Sequence, residues 1–590
     1  MDRNSIAHFS DAPSVAMERS TFLIFDDHHT SFDAGKLYPI LFKEIYPGDT
    51  FSLDMAATVR MATPKFPVMD NCYVDTYFFY CPTRLTWSSF KAFMGDSNVS
   101  AYESDGSDLQ IPQLKAPSSG FKSGSIADHF GIPVNICFDD YNEPDNPLTI
   151  SELPFRAVRL IWNRWFRNQN VEDPLLVNLG NNQSQGNIGN EEPYPVNRFR
   201  DYFSSCLPAP QKGAAVQLPL SGSAPVLTYN DFLDGGLGEL TPEQLKFAKI
   251  LSSTPNLRWF SRTASDSDRA TLMVDPVGYI RDPVQQVDEG MILETSNGES
   301  VNNIGGIDLR PANLQARFDL GTGYSTINAL RQAFAIQRIL EKDARSGSRY
   351  VEILRSHFNV IAPDSSLQEP EYLGGFHQML NMDQVLQTSY DNESPIGHTG
   401  AFSKTNMHGS VFTKSFTEHG MLLGFCCIRT DRSYQQGVHK SFLRKSRYDF
   451  YWPSLAHISE QPVKLVELYA NMSDGFSKDE IFGYQEAWAD LRVGNSNITG
   501  AFRSNYQDPV GNVLQGYNAW HYADYYGSRP YLSAQWMHEG DVNVARTLAG
   551  YDPDSINKPL DTQFLADFYF QTKASRCMPL YSIPGLIDHF

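Results

Sequence analysis

Alternating apolar and polar residues predict a run of β-strands between positions 37 and 82. PGDTFSLDMAATVRM begins with a turn and continues with a period of two, the spacing of a strand with one buried face. DTYFFYCPTRL (Asp75 to Leu85) departs from this rule, because aromatic residues occupy both of its faces. Such a strand needs a cover on each face, from this chain or from another. The aromatic residues are Phe78 and Tyr80 on one face and Tyr77 and Phe79 on the other.

A helical period replaces the strand period in LPFRAVRLIWNRWFRNQN, residues 153–170. At 100° per residue, its arginines share one face and most of its large apolar side chains lie opposite. The segment therefore predicts an amphipathic helix with a basic polar side, made of Arg156, Arg159, Arg164 and Arg167. INALRQAFAIQRILEKDAR predicts a second helix, capped by Thr326 and ending near Gly347, and YVEILRSHF a third, shorter one.

Two long segments lack a sustained period. Residues 1–36 are mixed and polar, which predicts an extended N-terminal arm before a domain that spans 37–590. Residues 221–320 are rich in Gly, Pro, Ser and Asn and contain only short apolar pieces. A loosely patterned segment of this length inside a β-rich protein predicts a surface insertion.

Composition and charge narrow the class of protein. Apolar residues make up 41% of the 590 positions and aromatic residues 13%, which indicates a folded chain. Sixty-eight acidic against 48 basic side chains give a net charge of −20, which argues against a nucleic-acid binder acting through its total charge. Seven cysteines, an odd number, predict free thiols in a reducing compartment. With no signal-like start and no run of spanning length, we expect a soluble protein without membrane insertion.

Catalytic, cofactor and metal signatures are absent from the sequence. It contains no G-x-S-x-G, no P-loop, no C-x-x-C and no complete EF-hand loop. Acidic clusters such as YDPDS (551–555) contain Asp beside Pro and Ser, for which turn formation is the usual explanation. We therefore expect a protein that is not an enzyme, with no catalytic residue, no cofactor and no metal site.

Basic segments stand out against the acidic background. Residues 429–447 contain six basic side chains and one acidic side chain, and residues 331–355 contain six and three. One interpretation is contact with phosphates, with Trp162, Trp165, Tyr434 or Tyr448 stacking on bases. The other is a set of solvated faces and interface salt bridges. The candidates from the first of these segments are Lys440, Arg444, Lys445 and Arg447.

Nine sequence blocks carry a resemblance to a known family. In order, they include RMATPKFPVMDN, DTYFFYCPTRL, LPFRAVRLIWNRWFRNQN, SSCLPAPQKG, PEYLGG, YQQGVHKSFLRKSRYDFYWP and SIPGLIDH. Together with PGDTF and the two helical segments near 327–358, they resemble the major capsid proteins of microviruses, most closely the gokushovirus branch. The blocks extend from the first strands to SIPGLIDH near the end of the chain, whereas residues 221–320 match poorly. Ala209 is a small departure, since a bulkier residue is expected there.

The resemblance implies a mainly β fold, a single eight-stranded viral jelly roll with long loop and helical insertions. It also implies a T=1 icosahedral virion of about sixty copies around circular single-stranded DNA, assembled in the bacterial cytoplasm. Segment 221–320 would form a protrusion at the three-fold axes and meet a bacterial surface receptor. Further implied partners are a small basic DNA-packaging protein and the pilot and scaffolding proteins of the virus.

Shell charge bears on where DNA could bind. Sixty copies carry about −1200 in total, so the inner surface must be locally basic, or cations and a basic protein must help. The resemblance strengthens the interpretation of the four-arginine face as DNA-facing, while inter-subunit ion pairs remain the alternative. The aromatic candidates for the core or for subunit contacts are Tyr77, Phe78, Phe79, Tyr80, Trp162, Trp165 and Trp452.

Two other functions compete with a structural role. A jelly-roll glycoside hydrolase would need a carboxylate pair across a cleft, and an aromatic strand could line its sugar groove. A DNA-binding module would fit the basic helix but not the net charge.

Overall fold

The computed structural model describes residues 19–96, 109–139, 147–182, 187–214, 216, 327–347, 349–389, 396–513, 517–550 and 562–581, together with short strands between 226 and 316. The chain divides into two compact units. One contains residues 1–214 and 339–590, and the other contains residues 215–338.

Nine strands of the first unit build two antiparallel sheets. In chain order they are β1 (Ser20–Phe32), β2 (Tyr38–Ile45), β3 (Thr50–Met61), β4 (Cys72–Pro82), β5 (Glu371–Gly374), β6 (His377–Met379), β7 (Thr405–Ser415), β8 (Gly420–Thr430) and β9 (Phe564–Arg576). The first sheet has the order β1-β9-β3-β7 and the second β5-β4-β8-β2. β6 also pairs with β4, further along it than β5, so β5 and β6 act as one interrupted strand.

The two sheets bury a common apolar core between their facing sides. Alternate residues of β3 and β9, such as Phe51 and Phe570, are fully buried, as their period of two requires. Phe78 of β4 meets Phe570 of β9 with ring centroids 6.1 Å apart. This contact joins the second sheet to the first.

The outer face of β4 is covered by this chain's own insertion. Phe79 and Tyr77 belong to a second apolar cluster, which is built largely from residues 87–196 between β4 and β5. Trp162 is buried in the same cluster, whereas Phe78 and Tyr80 belong to the core between the sheets. Both aromatic faces of DTYFFYCPTRL are therefore internal to one subunit.

The predicted N-terminal arm differs from the structure at residues 20–32. This segment is β1, which pairs with β9 along its whole length from Ser20–Arg576 to Phe32–Phe564. Its apolar residues alternate between partly buried positions, such as Ile24, and exposed ones, such as Phe25. Apolar residues on both sides obscure the period of two in the sequence. The strand thus belongs to the sandwich, and residues 1–18 lie outside the described part.

The helices of the first unit are mostly short. They are α1 (Thr83–Thr86), α2 (Phe90–Phe93), α3 (Ile126–His129), α4 (Leu153–Ile161), α5 (Ile327–Ser346, which begins in the other unit), α6 (Tyr350–Phe358), α7 (Leu465–Leu468), α8 (Ala534–Met537) and α9 (Val542–Ala545). A π-helical turn, Trp162–Phe166, extends α4. The predicted helix over 153–170 therefore ends at residue 166. The helices predicted in INALRQAFAIQRILEKDAR and YVEILRSHF are α5 and α6.

Irregular insertions complete the first unit. A third apolar cluster, with Tyr202, Leu465 and Trp536 among its members, lies beneath the long segment between β8 and β9. Single-turn 3₁₀ helices occur at Ile188–Asn190, Lys440–Leu443, Arg447–Asp449, Pro453–Leu455, Met472–Asp474, Ala489–Leu491, Gly500–Phe502 and Asn518–Trp520. Three two-stranded sheets pair Gln113–Lys115 with Thr149–Ser151, Met382–Leu386 with Thr399–Ser403, and Gln461–Lys464 with Ile481–Gln485.

The second unit, residues 215–338, contains segment 221–320. Its described strands form a five-stranded and a two-stranded sheet. They are Val226–Thr228, Leu257–Ser261, Ala270–Leu272, Leu293–Thr295, Ser300–Val301, Leu309–Pro311 and Leu314–Ala316. The rest of segment 221–320 lies outside the described residues.

Within the described part of the chain, no helix is both long and apolar enough to cross a membrane. Over the same residues, no three His, Cys, Asp or Glu side chains converge as a metal site requires.

Candidate nucleic-acid interface

The four arginines of the 153–167 segment differ in what surrounds them, and Arg156 is the most enclosed. Its side chain is fully buried, with Nη2 3.1 Å from Glu152 Oε2, one helical turn earlier. Nη1 donates to the carbonyl of Gly180 at 2.9 Å, and Nη2 to that of Asn182 at 2.8 Å. A guanidinium buried and hydrogen-bonded in this way by its own chain is not accessible to a phosphate.

Arg159 is also an internal residue. It forms an ion pair with Glu191, and Nε donates to the hydroxyl of Tyr194 at 3.0 Å. Nη1 donates to the carbonyl of Leu176 at 2.7 Å. Burial alone would lower the pKa of Arg159, but Tyr194 and Glu191 outweigh it and raise this pKa above its ordinary value.

Arg164 and Arg167 lie nearer the surface and still have partners in this chain. Arg164 Nη2 is 2.5 Å from Glu369 Oε2, and burial lowers the pKa of Arg164. Arg167 Nη1 donates to the carbonyl of Glu172 at 2.6 Å. The helical period correctly places the arginines on one side of the segment, but residues 172–191 and 369 cover that side. The prediction of a DNA-facing surface is therefore wrong for the buried Arg156 and Arg159, and it stays a prediction for the partly exposed Arg164 and Arg167.

The second group of candidates lies in a loop between β8 and the strand Gln461–Lys464. We call residues 439–455 the aromatic–basic loop. Lys440 and Arg444 converge there on Asp490, whose carboxylate is only 2% exposed. Arg444 Nη2 is 2.7 Å from Oδ2, and Lys440 Nζ is 3.8 Å from Oδ1. These two cations anchor the loop to the 3₁₀ turn Ala489–Leu491.

Lys445 and Arg447 are the exposed cations of the aromatic–basic loop. The one carboxylate of the loop, Asp449, is engaged with backbone: Oδ2 accepts from the amides of Lys445 at 2.8 Å and Ser446 at 2.7 Å. Those amide hydrogen bonds lower the pKa of Asp449. Over the described residues, Lys445 and Arg447 have no ion pair within 4.0 Å, so both can accept an external anion.

The aromatic–basic loop also exposes five aromatic side chains, two of which lie beside Arg447. The guanidinium of Arg447 lies 5.3 Å from the ring centroid of Tyr448 and 5.4 Å from that of Trp452. Trp452 Nε1 donates to the carbonyl of Arg447 at 2.8 Å, which fixes the ring. With exposures between 42% and 83%, the five are available to stack on bases. They are Phe442, Tyr448, Phe450, Tyr451 and Trp452.

The sequence of this loop already indicates a surface that could bind single-stranded nucleic acid. KSFLRKSRYDFYWP combines basic and aromatic residues, as single-strand binding surfaces do. Tyr448 was predicted to stack on bases and Trp452 to lie in the core or at a subunit contact, whereas Phe442, Phe450 and Tyr451 were not named. Tyr434, also named as a stacking candidate, is instead buried and donates its hydroxyl to Asp201.

The seven aromatic residues predicted for the core or for subunit contacts differ in how far they are buried. Tyr77, Phe78, Phe79, Tyr80 and Trp162 lie in or against the apolar clusters of the subunit. Trp165 is partly exposed, and its Nε1 donates to the carbonyl of Pro370 at 3.2 Å. Trp452 is on the surface, within the aromatic–basic loop.

Comparisons with known proteins cover nearly the whole chain. The family model described as capsid protein (F protein) matches residues 10–586. Capsid protein VP1 of Spiroplasma virus 4 is 37% identical over 574 residues, covering 94% of this chain and 93% of that protein. VP1 of Bdellovibrio phage phiMH2K is 36% identical, covering 100% and 99%. VP1 of Chlamydia phage 1 is 33% identical, covering 98% and 97%.

Proposed function

The chain belongs to the F/VP1 capsid protein family of the Microviridae, and from this premise we propose that it builds a small T=1 shell around circular single-stranded DNA. It is a structural component of the virion, not an enzyme. The observation that carries the proposal is the end-to-end similarity to three VP1 proteins, because it includes both the sheets and the insertions. About sixty identical copies would close such a shell through repeated contacts.

The fold we propose is an eight-stranded jelly roll. Its support is the strand order, β1-β9-β3-β7 facing β5-β4-β8-β2, in which neighbouring strands come from distant parts of the sequence. Two four-stranded antiparallel sheets with such connections are typical of viral jelly rolls. The long connections between strands then carry the insertions.

DNA contact is assigned to the aromatic–basic loop. Lys445 and Arg447 supply cations without an ion pair in the described residues, and Tyr448 and Trp452 supply flat rings beside them. With a net charge of −20 on each copy, a local basic site of this kind is what the shell needs on its inner side. A small basic packaging protein would complete the neutralisation.

The remaining proposals concern the other partners. Segment 221–320 would bind the bacterial surface receptor, supported by its place in a separate unit of the chain. The pilot and scaffolding proteins of the virus would assist assembly in the bacterial cytoplasm.

Electron microscopy of the protein co-produced with the other viral proteins tests the central proposal. We expect closed particles of a single size that protect single-stranded DNA from nuclease. Nuclease treatment of detergent-opened particles is the control, since it must then degrade the DNA. Only dispersed subunits under conditions in which a relative's VP1 assembles would overturn the proposal.

A further inference from the structure

A cleft of about 410 Å³ opens beside the aromatic–basic loop, between residues 451–457 and residues 486–492. We call it the loop cleft. Its volume lies within the range of small-ligand sites, about 300–1,000 Å³. Asp490, to which Lys440 and Arg444 of the loop are bound, lies in the second of these segments. The two sides of the cleft are therefore tied together by a buried charge contact.

Trp488 forms the fixed apolar wall of the loop cleft. Its side chain is buried, and Nε1 donates to the carbonyl of Leu455 at 2.9 Å. Its backbone has a φ of 64°, a left-handed conformation that bulky residues adopt only where their surroundings hold them. The ring of Tyr451 stands almost perpendicular to that of Trp488, with centroids 5.6 Å apart. Tyr451 is thereby held in place while 48% of it stays exposed, as a stacking platform requires.

Glu486 and Arg492 supply the polar side of the loop cleft. Arg492 Nη1 lies 2.5 Å from Glu486 Oε1, and both side chains are about half exposed. Arg492 Nη2 also donates to the carbonyl of Ala487, which orients the guanidinium. Within the part of the chain that the structure describes, the second carboxylate oxygen of Glu486 has no hydrogen-bond partner. The cleft therefore presents a carboxylate acceptor directly beside a guanidinium donor.

We propose that the loop cleft binds a guanine base of single-stranded DNA; this inference rests on the proposed contact between DNA and the aromatic–basic loop. Any base can stack on Tyr451, so the ion pair decides between them. The Watson–Crick edge of guanine carries two neighbouring donors, N1–H and N2–H, beside the acceptor O6. Glu486 accepts from the two donors and Arg492 donates to O6. Adenine, cytosine and thymine each present a single donor group on that edge.

The neighbouring cations favour a base within a strand over a free nucleotide. Lys445 and Arg447 precede Tyr451 in the same loop, and the guanidinium of Arg447 lies 5.4 Å from the ring centroid of Trp452, the next residue along the chain. A strand can thus place phosphates on the cations and one base in the cleft. A free nucleotide offers only its own phosphate and base.

The first test measures base preference. Oligothymidylates that differ only at one central position, which holds guanine, adenine, cytosine or thymine, are titrated with disassembled subunits and followed by fluorescence anisotropy. We expect the guanine strand to bind roughly fivefold or more tightly than the thymine strand. Equal affinities for the four strands would overturn the inference.

Glu486→Gln assigns the preference to the cleft. It should lower the affinity for the guanine strand to that for the thymine strand and leave the thymine strand unchanged. Asp479→Asn is the matched control, because it removes the carboxylate of another exposed ion pair, 2.6 Å from Lys464 Nζ, with the same change in net charge. The control should keep the guanine preference. A wild-type preference in Glu486→Gln, or an equal loss in both variants, would overturn the assignment.

Photo-cross-linking locates the base without relying on affinity. A strand with 6-thiodeoxyguanosine at the central position is irradiated in the complex, and the joined peptides are identified by mass spectrometry. Adducts are expected on Tyr451 or within residues 486–492. Adducts confined to other parts of the chain would overturn the inference. So would competition by free dGMP at the concentration of the guanine strand, since the cleft would then be a nucleotide site.

The outcomes also separate this inference from the proposed function. Binding of all strands without base preference would overturn the cleft assignment and leave both the loop contact and the capsid function intact. No binding by wild-type subunits, with DNA still held in assembled particles, would overturn the loop contact together with the cleft. The base preference is measured on subunits, so its failure is distinct from a failure of the wild-type protein to form particles.

Discussion

Phe79 of β4 and Trp165 of the π-helical turn pack with ring centroids 5.6 Å apart. Phe79 is 1% exposed and also meets Phe425 of β8 and Tyr372 of β5, with centroid distances of 6.1 Å and 5.5 Å. The outer aromatic face of β4 thus joins the second sheet to the insertion that follows it. This face stabilises the subunit itself.

Phe79→Ala should lower the free energy of unfolding by about 3–5 kcal/mol, because it leaves a cavity among well-packed rings. Urea denaturation of disassembled subunits measures this change. Phe442→Ala is the control: Phe442 is 83% exposed, so its removal should alter the free energy by less than about 0.5 kcal/mol. A loss below about 1 kcal/mol for Phe79→Ala would contradict the packing described.

Lys445→Ala together with Arg447→Ala should weaken binding of the subunit to single-stranded DNA. Removing two phosphate contacts should reduce the slope of log K against log salt concentration by about 1.4. Fluorescence anisotropy of a labelled oligonucleotide over a range of salt concentrations measures it. The binding site would lie elsewhere if the slope did not change.

Lys440→Ala together with Arg444→Ala is the matched control in the same loop. These two cations are engaged with the buried Asp490, so their removal should lower the free energy of unfolding by about 1–3 kcal/mol. The salt dependence of DNA binding should stay close to that of the wild type. An equal loss of slope in both pairs would show that the loop acts only through its overall charge.

Local patterns in the sequence were enough to predict several elements. The period of two identified β3 and the doubly apolar β4, and the helical period identified α4 and α6. In each case the pattern that identifies the element involves only residues a few positions apart. The missed strand β1 shows the limit, because its apolar residues alternate across both faces and produce no clear period.

The fate of the arginines could not be predicted from local pattern. Arg159 pairs with Glu191, 32 positions away, and Arg164 with Glu369, 205 positions away. A helical period tells which side chains share a face, but the cover of that face is decided by the tertiary fold. The sequence also does not distinguish the pair Lys440 and Arg444 from the pair Lys445 and Arg447. Only the tertiary fold brings the first pair to Asp490.

His129 should make the subunit less stable in mild acid. Burial lowers its pKa to about 4, and the ring lies between Thr30 Oγ1 at 3.3 Å and the ring of Tyr38 at 4.8 Å, with His28 and Asp128 as the nearby titratable groups. In the unfolded chain its pKa is near 6.5, so between pH 6.5 and 4 the unfolded state binds more protons. Stability therefore falls as the pH falls, by about 3 kcal/mol in full.

His129→Gln should remove this slope. Urea denaturation of disassembled subunits at pH 7, 5.5 and 4.5 checks it, with His408→Gln on the exposed face of β7 as the control. The wild type and the control should lose stability in parallel, and His129→Gln should lose less. Three parallel curves would exclude His129 as the source.

Asp524 should have the opposite role, sustaining stability until strong acid is reached. It lies at the centre of a buried network: Arg432 Nη1 is 2.8 Å from Oδ1 and Arg198 Nη1 is 2.9 Å from Oδ2. Burial alone would raise the pKa of Asp524, but Arg432 and Arg198 outweigh it and lower this pKa to about 2. Arg432 also pairs with the buried Glu539, so the network ties the end of β8 to residues 524–539.

The sign of the pH dependence follows from that depressed pKa. The carboxylate contributes stability above its unfolded pKa, near 3.9, and this contribution is lost as the pH falls through about 2.

Asp524→Asn leaves two buried guanidinium groups without their shared partner, so at pH 7 it should lower the free energy of unfolding by about 3–5 kcal/mol. Between pH 4 and pH 2 the difference between wild type and variant should narrow by about 2 kcal/mol. Denaturation curves of disassembled subunits across this range test the prediction, with Asp383→Asn, at an exposed position, as the control. A difference that stays constant from pH 4 to pH 2 would show that Asp524 does not titrate there.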